Sequence, residues 1–249
     1  MKPDVVVDIG NTRIKWGRCS ASAVVATASL PPEDPAAWSE QAQSWRLTEP
    51  LLWVLSGVQP HRRAALTTWL QRRGARVYVI EDPQSLPVKV LVDRPEHVGI
   101  DRLLDAVAAN SWRPDRTDKS AVIVDAGSAV TVDCLDPDGA FTGGAIFPGL
   151  KLMADALHQF TALLPAIAVR QPVAAVPGKS TPAAMQVGVY WAVAGGVRAL
   201  IEQFGRERSR QVFLTGGDAA VLQPALPEPT VLWPEMTLEG LRRTAEALP

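Results

Sequence analysis

One pattern, present twice, limits what this chain can fold into. Val5-Val6-Val7-Asp8-Ile9-Gly10-Asn11-Thr12-Arg13-Ile14-Lys15-Trp16-Gly17 opens on three β-branched residues, the mark of a buried strand. The strand delivers the carboxylate of Asp8 into a turn. There Gly10 permits tight backbone, and Asn11 and Thr12 add short hydrogen-bonding side chains. Arg13 and Lys15 then alternate with Ile14 and Trp16, the period of a returning strand. Ala121-Val122-Ile123-Val124-Asp125-Ala126-Gly127-Ser128-Ala129-Val130-Thr131-Val132-Asp133 repeats the design. A single Asp-x-Gly is an ordinary turn; two copies, each after a buried strand, point to two similar half-domains that offer carboxylate hairpins to a shared cleft. Such a tip suits a metal-bound polyphosphate. The carboxylate faces the cation, directly or through water, while backbone amides and Lys15 face phosphate oxygens.

The 249 residues fit one large domain or two of about 100–150 residues each. The plainly polar stretch from Arg113 to Ser120 sets the boundary, giving halves 1–115 and 116–249. In the first half the pattern predicts a third strand over 23–28, helices over 35–46 and 60–73, strands over 51–55 and 76–80, and a helix over 101–112. In the second it predicts a strand around Phe141, a helix over 150–164 and a long helix from Thr181 to about Arg206. Thr181 would cap that long helix, with Pro182 at its first position. A strand over 211–214 and a helix over 237–248 close the chain. The order is that of an α/β fold.

Composition excludes several classes. A net charge of −1 argues against a protein held to nucleic acid by bulk charge. Arg62, Arg63, Arg72, Arg73 and Arg76 gather on one segment and read as a solvated helix face. Cys19 and Cys134 match no disulfide framework or zinc pattern and read as buried thiols in a reducing compartment. His61, His97 and His158 are scattered. The longest apolar run, Val187 to Val197, is too short to span a bilayer, and no secretory leader precedes the first strand, so the expectation is a cytoplasmic protein without a membrane segment. No two glycines are separated by one residue, which removes the dinucleotide fingerprint. Leu150 stands where a Walker-A lysine is required after Gly144 and Gly149, and no G-x-S-x-G occurs.

Carboxylates and glycines remain. Asp101 stands at a helix start, where the helix dipole favours a negative charge. It follows Gly99, and Arg102 beside it could pair with a substrate carboxylate. Gly143-Gly144 and Gly216-Gly217 read as bare backbone at strand ends, open to a flat or anionic ligand.

Taken together these residues resemble the type III pantothenate kinases, of the acetate kinase/sugar kinase/Hsp70/actin superfamily. The matching stretches, in order, are Asp8-x-Gly10-Asn11-Thr12-x-x-Lys15, Gly99-x-Asp101-Arg102, Asp125-x-Gly127-Ser128-Ala129-x-Thr131, Gly143-Gly144 to Pro148-Gly149, and Thr215-Gly216-Gly217-Asp218. The resemblance implies an α/β fold of two duplicated ribonuclease-H-like (actin-like ATPase) half-domains with a cleft between them. It also implies ATP-dependent phosphorylation of pantothenate to 4'-phosphopantothenate, the first step of coenzyme A biosynthesis, with ATP, Mg²⁺ and a monovalent cation (K⁺ or NH₄⁺), in a homodimer. By motif position, Asp8, Gly10, Asn11, Thr12 and Lys15 would handle phosphates, with Asp8 meeting Mg²⁺ through them. Gly127, Ser128 and Thr131 would face the phosphates from the other half, with Asp125 at the monovalent cation. Gly216 and Gly217 would lie against adenosine. Val92, Gly99, Ile100, Asp101 and Arg102 would hold pantothenate, with Asp101 as the base, and Thr181 would reach it from the partner subunit. Two positions depart from the family. Ser128 replaces the usual threonine but keeps the hydroxyl, and Val92 stands where many members carry tyrosine.

Two other readings share the fold. A regulatory or accessory relative would not need the three carboxylates, and all three are present. A phosphohydrolase such as a polyphosphatase would have no use for Gly99-x-Asp101-Arg102.

Overall fold

The computed structural model describes residues 1–113, 120–204 and 210–248. It divides into two compact units, Met1–Asp115 with Glu235–Pro249, and Arg116–Pro234. The polar stretch read as a boundary falls largely outside the described residues.

The first unit is built on β1 (Val5–Ile9), β2 (Ile14–Cys19), β3 (Val24–Leu30), α1 (Pro35–Ser44), β4 (Leu52–Ser56), α2 (Pro60–Arg72), β5 (Arg76–Val79) and α3 (Ile100–Trp112). Its sheet runs β3-β2-β1-β4-β5. The first three strands pair antiparallel through tight turns. β4 joins β1, and β5 joins β4, in parallel, which requires the crossover helices α1 and α2. α1 starts where Asp34 accepts from the amides of Ala36 and Ala37, both at 3.1 Å, with Pro35 leading the helix. All five residues of β1 are buried. A tryptophan cluster fills one side of the sheet. Trp16 meets Trp53 edge-on at 4.9 Å between ring centres, and Trp38 meets Trp69 at 5.7 Å. Each such pair contributes about 0.5–1.5 kcal/mol beyond the area it buries.

The second unit repeats the plan with β6 (Ser120–Ala126), β7 (Ala129–Leu135), β8 (Phe141–Pro148), α4 (Leu150–Gln159), α5 (Thr181–Phe204), β9 (Arg210–Thr215), α6 (Ala219–Leu222) and β10 (Thr230–Leu232). Its sheet order, β10-β9-β6-β7-β8, is the first sheet's order read from the other end. β6, β7 and β8 form the meander, and β9 and β10 join in parallel. The duplication legible in two short motifs therefore extends to both five-stranded sheets. α5 is the one helix among the described residues long and apolar enough, by length and composition, to cross a membrane. Here Val189, Tyr190, Val193, Val197 and Ile201 on one of its faces pack into the unit's core with Val122, Val124 and Val212. The helix extends well beyond the apolar run Val187–Val197 because Ala, Met and isolated polar residues continue it at both ends.

The last helix, α7 (Met236–Ala247), belongs to the first unit, not to the second half as the sequence boundary had it. It packs chiefly on α3 and also on β1 and β4. The physical reason is one close crossing and one buried charge network. A Cβ at Gly240 would lie 1.9 Å from the Leu104 carbonyl oxygen, so only glycine lets the two helix backbones approach so nearly. Arg242, fully buried, donates from Nε to Glu239 at 2.9 Å, and Glu239 Oε2 accepts the Val24 amide of β3 at 3.3 Å. An amphipathic pattern alone does not say which sheet a terminal helix will cover.

Other expectations are adjusted locally. β8 runs unbroken through Gly143 and Gly144, so these are strand interior and not a strand end. A Cβ at Gly144 would meet Asp133 Oδ1 and the Val132 carbonyl oxygen at 2.3 Å each, which makes close packing against β7 the reason for the glycine. α4 stops at Gln159. α5 begins at Thr181, but the residue before it does the capping: Ser180 Oγ accepts the Ala183 amide at 3.4 Å. The expected end of α5 near Arg206 lies outside the described residues. β10 and α6, three and four residues long, carry too few positions to show a period. Both thiols are free and partly buried, and burial pushes Cys19 up to about 12 and Cys134 up to about 11, so neither is a nucleophile.

Candidate active site

In the first unit the β1–β2 hairpin places Asp8 opposite Lys15 in register. Directly opposed residues share a sheet face, so the carboxylate and the ammonium project to the same side. Asp8 is buried, whereas Asn11, Thr12 and Arg13 at the tip are exposed. The tip closes with the Gly10 amide donating to the Arg13 carbonyl at 3.1 Å.

In the second unit the β6–β7 hairpin places Asp125 opposite Thr131 and closes with the Gly127 amide on the Ala129 carbonyl at 3.2 Å. Its turn is one residue shorter: Ala126 pairs with Val130, where Ile9 pairs with Ile14 in the first. Ser128 is exposed at the tip. Two other segments converge there. The Gly149 amide donates to the Ser128 carbonyl at 2.9 Å, and the Asp218 amide to the Ala126 carbonyl at 2.9 Å. Burial raises the Asp218 carboxyl above its ordinary range.

The parallel neighbour of each hairpin adds a feature the sequence reading used only in the second half. Asp8 lies in register with Ser56, and Asp125 with Thr215; the next residues, Gly57 and Gly216, have φ of +135° and +98°. A Cβ on Gly57 would stand 2.3 Å from the Ile9 carbonyl oxygen. One on Gly216 would stand 2.3 Å from Asp125 Oδ1. The parallel neighbour of the carboxylate strand in each unit, β4 or β9, thus turns away on a left-handed glycine pressed against the end of that strand. Ser56-Gly57 was missed; its signal was an Asp-x-Gly partner strand ending in small residue plus glycine. Gly217, next in line, is exposed with nothing within 4 Å of a Cβ, so its backbone face is open.

The Gly99-x-Asp101-Arg102 motif forms the first turn of α3, with Gly99 at the cap position. Asp101 Oδ1 accepts the Arg102 amide at 2.9 Å, and a Cβ on Gly99 would stand 2.6 Å from that same oxygen. Glycine therefore leaves this carboxylate its position. Ile100 is buried in the core, so a ligand could meet only its backbone. Val92 is half-buried in the irregular segment before α3. Thr181, at the start of α5 and exposed, lines a groove of about 810 Å³ in the second unit with Lys179, Met153, Leu157, Met185 and Val189.

The structure thus gathers Asp8, Gly10, Asn11, Thr12 and Lys15 on one hairpin. Asp125, Gly127, Ser128, Thr131 and Gly216 meet at another, and Gly99, Asp101 and Arg102 share one helix turn. Among the described residues no three His, Cys, Asp or Glu side chains gather around a metal position. Asp8 on the first hairpin could serve Mg²⁺, which takes most of its ligands from phosphate and water and needs one or two carboxylates.

Residues 5–203 match the family model of the type III pantothenate kinases. The chain is 35% identical over 251 residues to the type III pantothenate kinase of Alkalilimnicola ehrlichii, an alignment covering 97% of each chain. It is also 35% identical over 194 residues to that of Paramagnetospirillum magneticum, across 76% of this chain and 72% of that one. MreB5 of Spiroplasma citri, solved with ADP, superposes with a TM-score of 0.51 over 99% of this chain and 97% of that one at 11% identity, a likeness of fold alone. Two sheets of one topology, the carboxylate hairpins and these alignments agree, and the chain belongs to the type III pantothenate kinase family.

Proposed function

We propose that this chain works as a cytoplasmic homodimer in which the two carboxylate hairpins handle one nucleotide and Asp101 takes the proton of the acceptor hydroxyl. Family membership makes it a pantothenate kinase: it phosphorylates pantothenate at the expense of ATP, at the entry to coenzyme A biosynthesis. The observation that carries the reading is the duplicated hairpin, with Asp8 opposite Lys15 and Asp125 opposite Thr131.

Phosphoryl transfer asks the protein for little covalent chemistry and much positioning. Lys15 and the exposed amides of the first tip hold phosphate oxygens, and Asp8 faces the metal side. Mg²⁺, when bound there, would offset the charge of the phosphates. Ser128 and Thr131 supply hydroxyls to the same phosphates. Asp125 takes the monovalent cation, K⁺ or NH₄⁺, and Gly216-Gly217 present backbone to adenosine. Val92, Gly99, Arg102 and Thr181 hold pantothenate, with the Arg102 guanidinium matched to its carboxylate. Steady ATP turnover by the purified chain should require pantothenate; turnover equally fast without it would make the protein a hydrolase instead.

The dimer is proposed from the second unit. Val189, Tyr190 and Val193 serve the unit's own core. The opposite edge of α5 leaves Ala184, Gly188 and Ala192 exposed. Leu152 of α4 and, beyond its end, Phe160 and Leu163 are exposed as well. Exposed apolar residues grouped on α4 and α5 are the kind of surface that marks an interface, and a two-fold pairing of the same patch would cover them. Light scattering at micromolar concentration should give twice the chain mass, and a monomer would end the idea.

A further inference from the structure

The two hairpin tips are held in place by different means. The second is pinned by backbone: the Gly149 and Asp218 amides donate to the carbonyls of Ser128 and Ala126. The first is gripped by side chains from the start of α2. Gln59, at the cap position of that helix, donates from Nε2 to Asn11 Oδ1. Arg62, one turn on, donates from Nη1 to the Asn11 carbonyl and, at 3.4 Å, to the Gly10 carbonyl, while its Nε donates to Glu33 at 3.1 Å. Arg63 next to it reaches the Gly57 carbonyl at 2.8 Å and Glu81 at 2.7 Å. These two arginines are only partly exposed, 23% and 13% by side chain, and so are not the solvated helix face their sequence context implied.

Resting on the reading of the first hairpin as a phosphate loop, we propose that Arg62 is a positioning residue for that loop. Its guanidinium fixes the Gly10 and Asn11 carbonyls and polarises the two peptide units they belong to. The N–H groups of those units are the amides of Asn11 and Thr12, and in a planar trans peptide they point away from their carbonyls. A positive charge behind the carbonyls strengthens the donors in front, as along any hydrogen-bonded chain. Arg62 thus acts on ATP phosphates without touching them. Glu33 is 65% exposed, so an ion pair with it holds the arginine only loosely. The second tip needs no such device, because two backbone amides already fix its carbonyls.

Steady-state kinetics on Arg62→Gln, Arg62→Lys and Lys15→Ala, with melting temperatures for each, test this. Misplacing phosphate donors by a fraction of an ångström should lower kcat/KM for ATP in Arg62→Gln by roughly 10–100-fold. The KM for pantothenate and the melting temperature should stay near those of the native chain. Arg62→Lys, which keeps the charge and one donor, should recover part of the loss. If Arg62→Gln keeps native kcat/KM for ATP while Lys15→Ala loses it, the positioning role is wrong and the phosphate hairpin stands. If both variants keep it, the hairpin reading fails as well. A lowered melting temperature with unchanged kinetics would make Arg62 merely structural and overturn the proposal.

Discussion

Asp101→Asn should abolish most of the activity while leaving the protein folded. Phosphoryl transfer needs an acceptor hydroxyl held in line with the γ-phosphate and a group to receive its proton. Among the described residues no histidine sits in a built site: His61 and His97 are exposed, and His158 Nδ1 lies against the Leu164 carbonyl. Asp8 and Asp125 are the carboxylates proposed for the phosphate side. Asp101 is left, at the first turn of α3, with Gly99 giving its Oδ1 room. The competing account is a first-turn aspartate that does no more than accept the Arg102 amide, 2.9 Å away. Asparagine offers the same acceptor to that amide and is tolerated in a first turn, so the structural role survives the change. Loss of a general base lowers turnover by roughly 10²–10⁴-fold. ATP affinity, followed by the quenching of the tryptophan cluster or by calorimetry, should hold. Turnover near the native rate would remove Asp101 from the mechanism.

Gly216→Ala should be damaging in both stability and activity, and Gly217→Ala should separate the two. At Gly216 the φ of +98° is one that side-chain-bearing residues rarely adopt, and the added carbon would stand 2.3 Å from Asp125 Oδ1 and 2.5 Å from the Ala126 backbone. Backbone strain of this kind costs on the order of 1–3 kcal/mol, and overpacking adds a similar amount. The cheapest relief is to push the Asp125 carboxylate aside, which is the group proposed to hold the monovalent cation. The variant should therefore unfold at distinctly lower denaturant and lose its dependence on K⁺ or NH₄⁺ along with most of its turnover. One residue on, a Cβ meets nothing within 4 Å. Gly217→Ala should keep stability within about 0.5 kcal/mol, yet weaken ATP binding if adenosine lies on that backbone. Denaturation curves and nucleotide titrations on the pair give the answer. Native stability in Gly216→Ala would mean that the left-handed turn is not needed, and native ATP affinity in Gly217→Ala would move adenosine elsewhere.

The sequence disclosed the hairpins because their logic is local. A valine run, an Asp-x-Gly and an alternating return strand need no distant partner to be read, whereas the register that sets Asp8 opposite Lys15 and Asp125 opposite Thr131 comes from two turns that differ by one residue. The same local legibility holds for α2 with its Gly74 stop and for α3, whose start at Ile100 lies one residue from the expected position. What stayed hidden depends on partners far along the chain. Gly143-Gly144 looks like bare turn backbone until β7 is seen pressed against it. Arg62 and Arg63 look like a solvated face until the Gly10, Asn11 and Gly57 carbonyls are placed beside them. Ser56-Gly57 carries no motif, and its likeness to Thr215-Gly216 appears only when both strands are seen beside their carboxylate neighbours.

The position of α7 has a bearing on how the chain is made. Its partners α3 and β1 lie more than a hundred residues upstream, and all of the second unit is synthesised in between. A ribosome that has released residue 234 has made the second unit whole while the first still lacks the helix that covers one face of its sheet. Until then Leu104, Val6 and their neighbours have no α7 to bury them, and closing that gap demands contacts of very long range along the chain. Of the two units, the one whose first residues are made earlier is thus the one completed later.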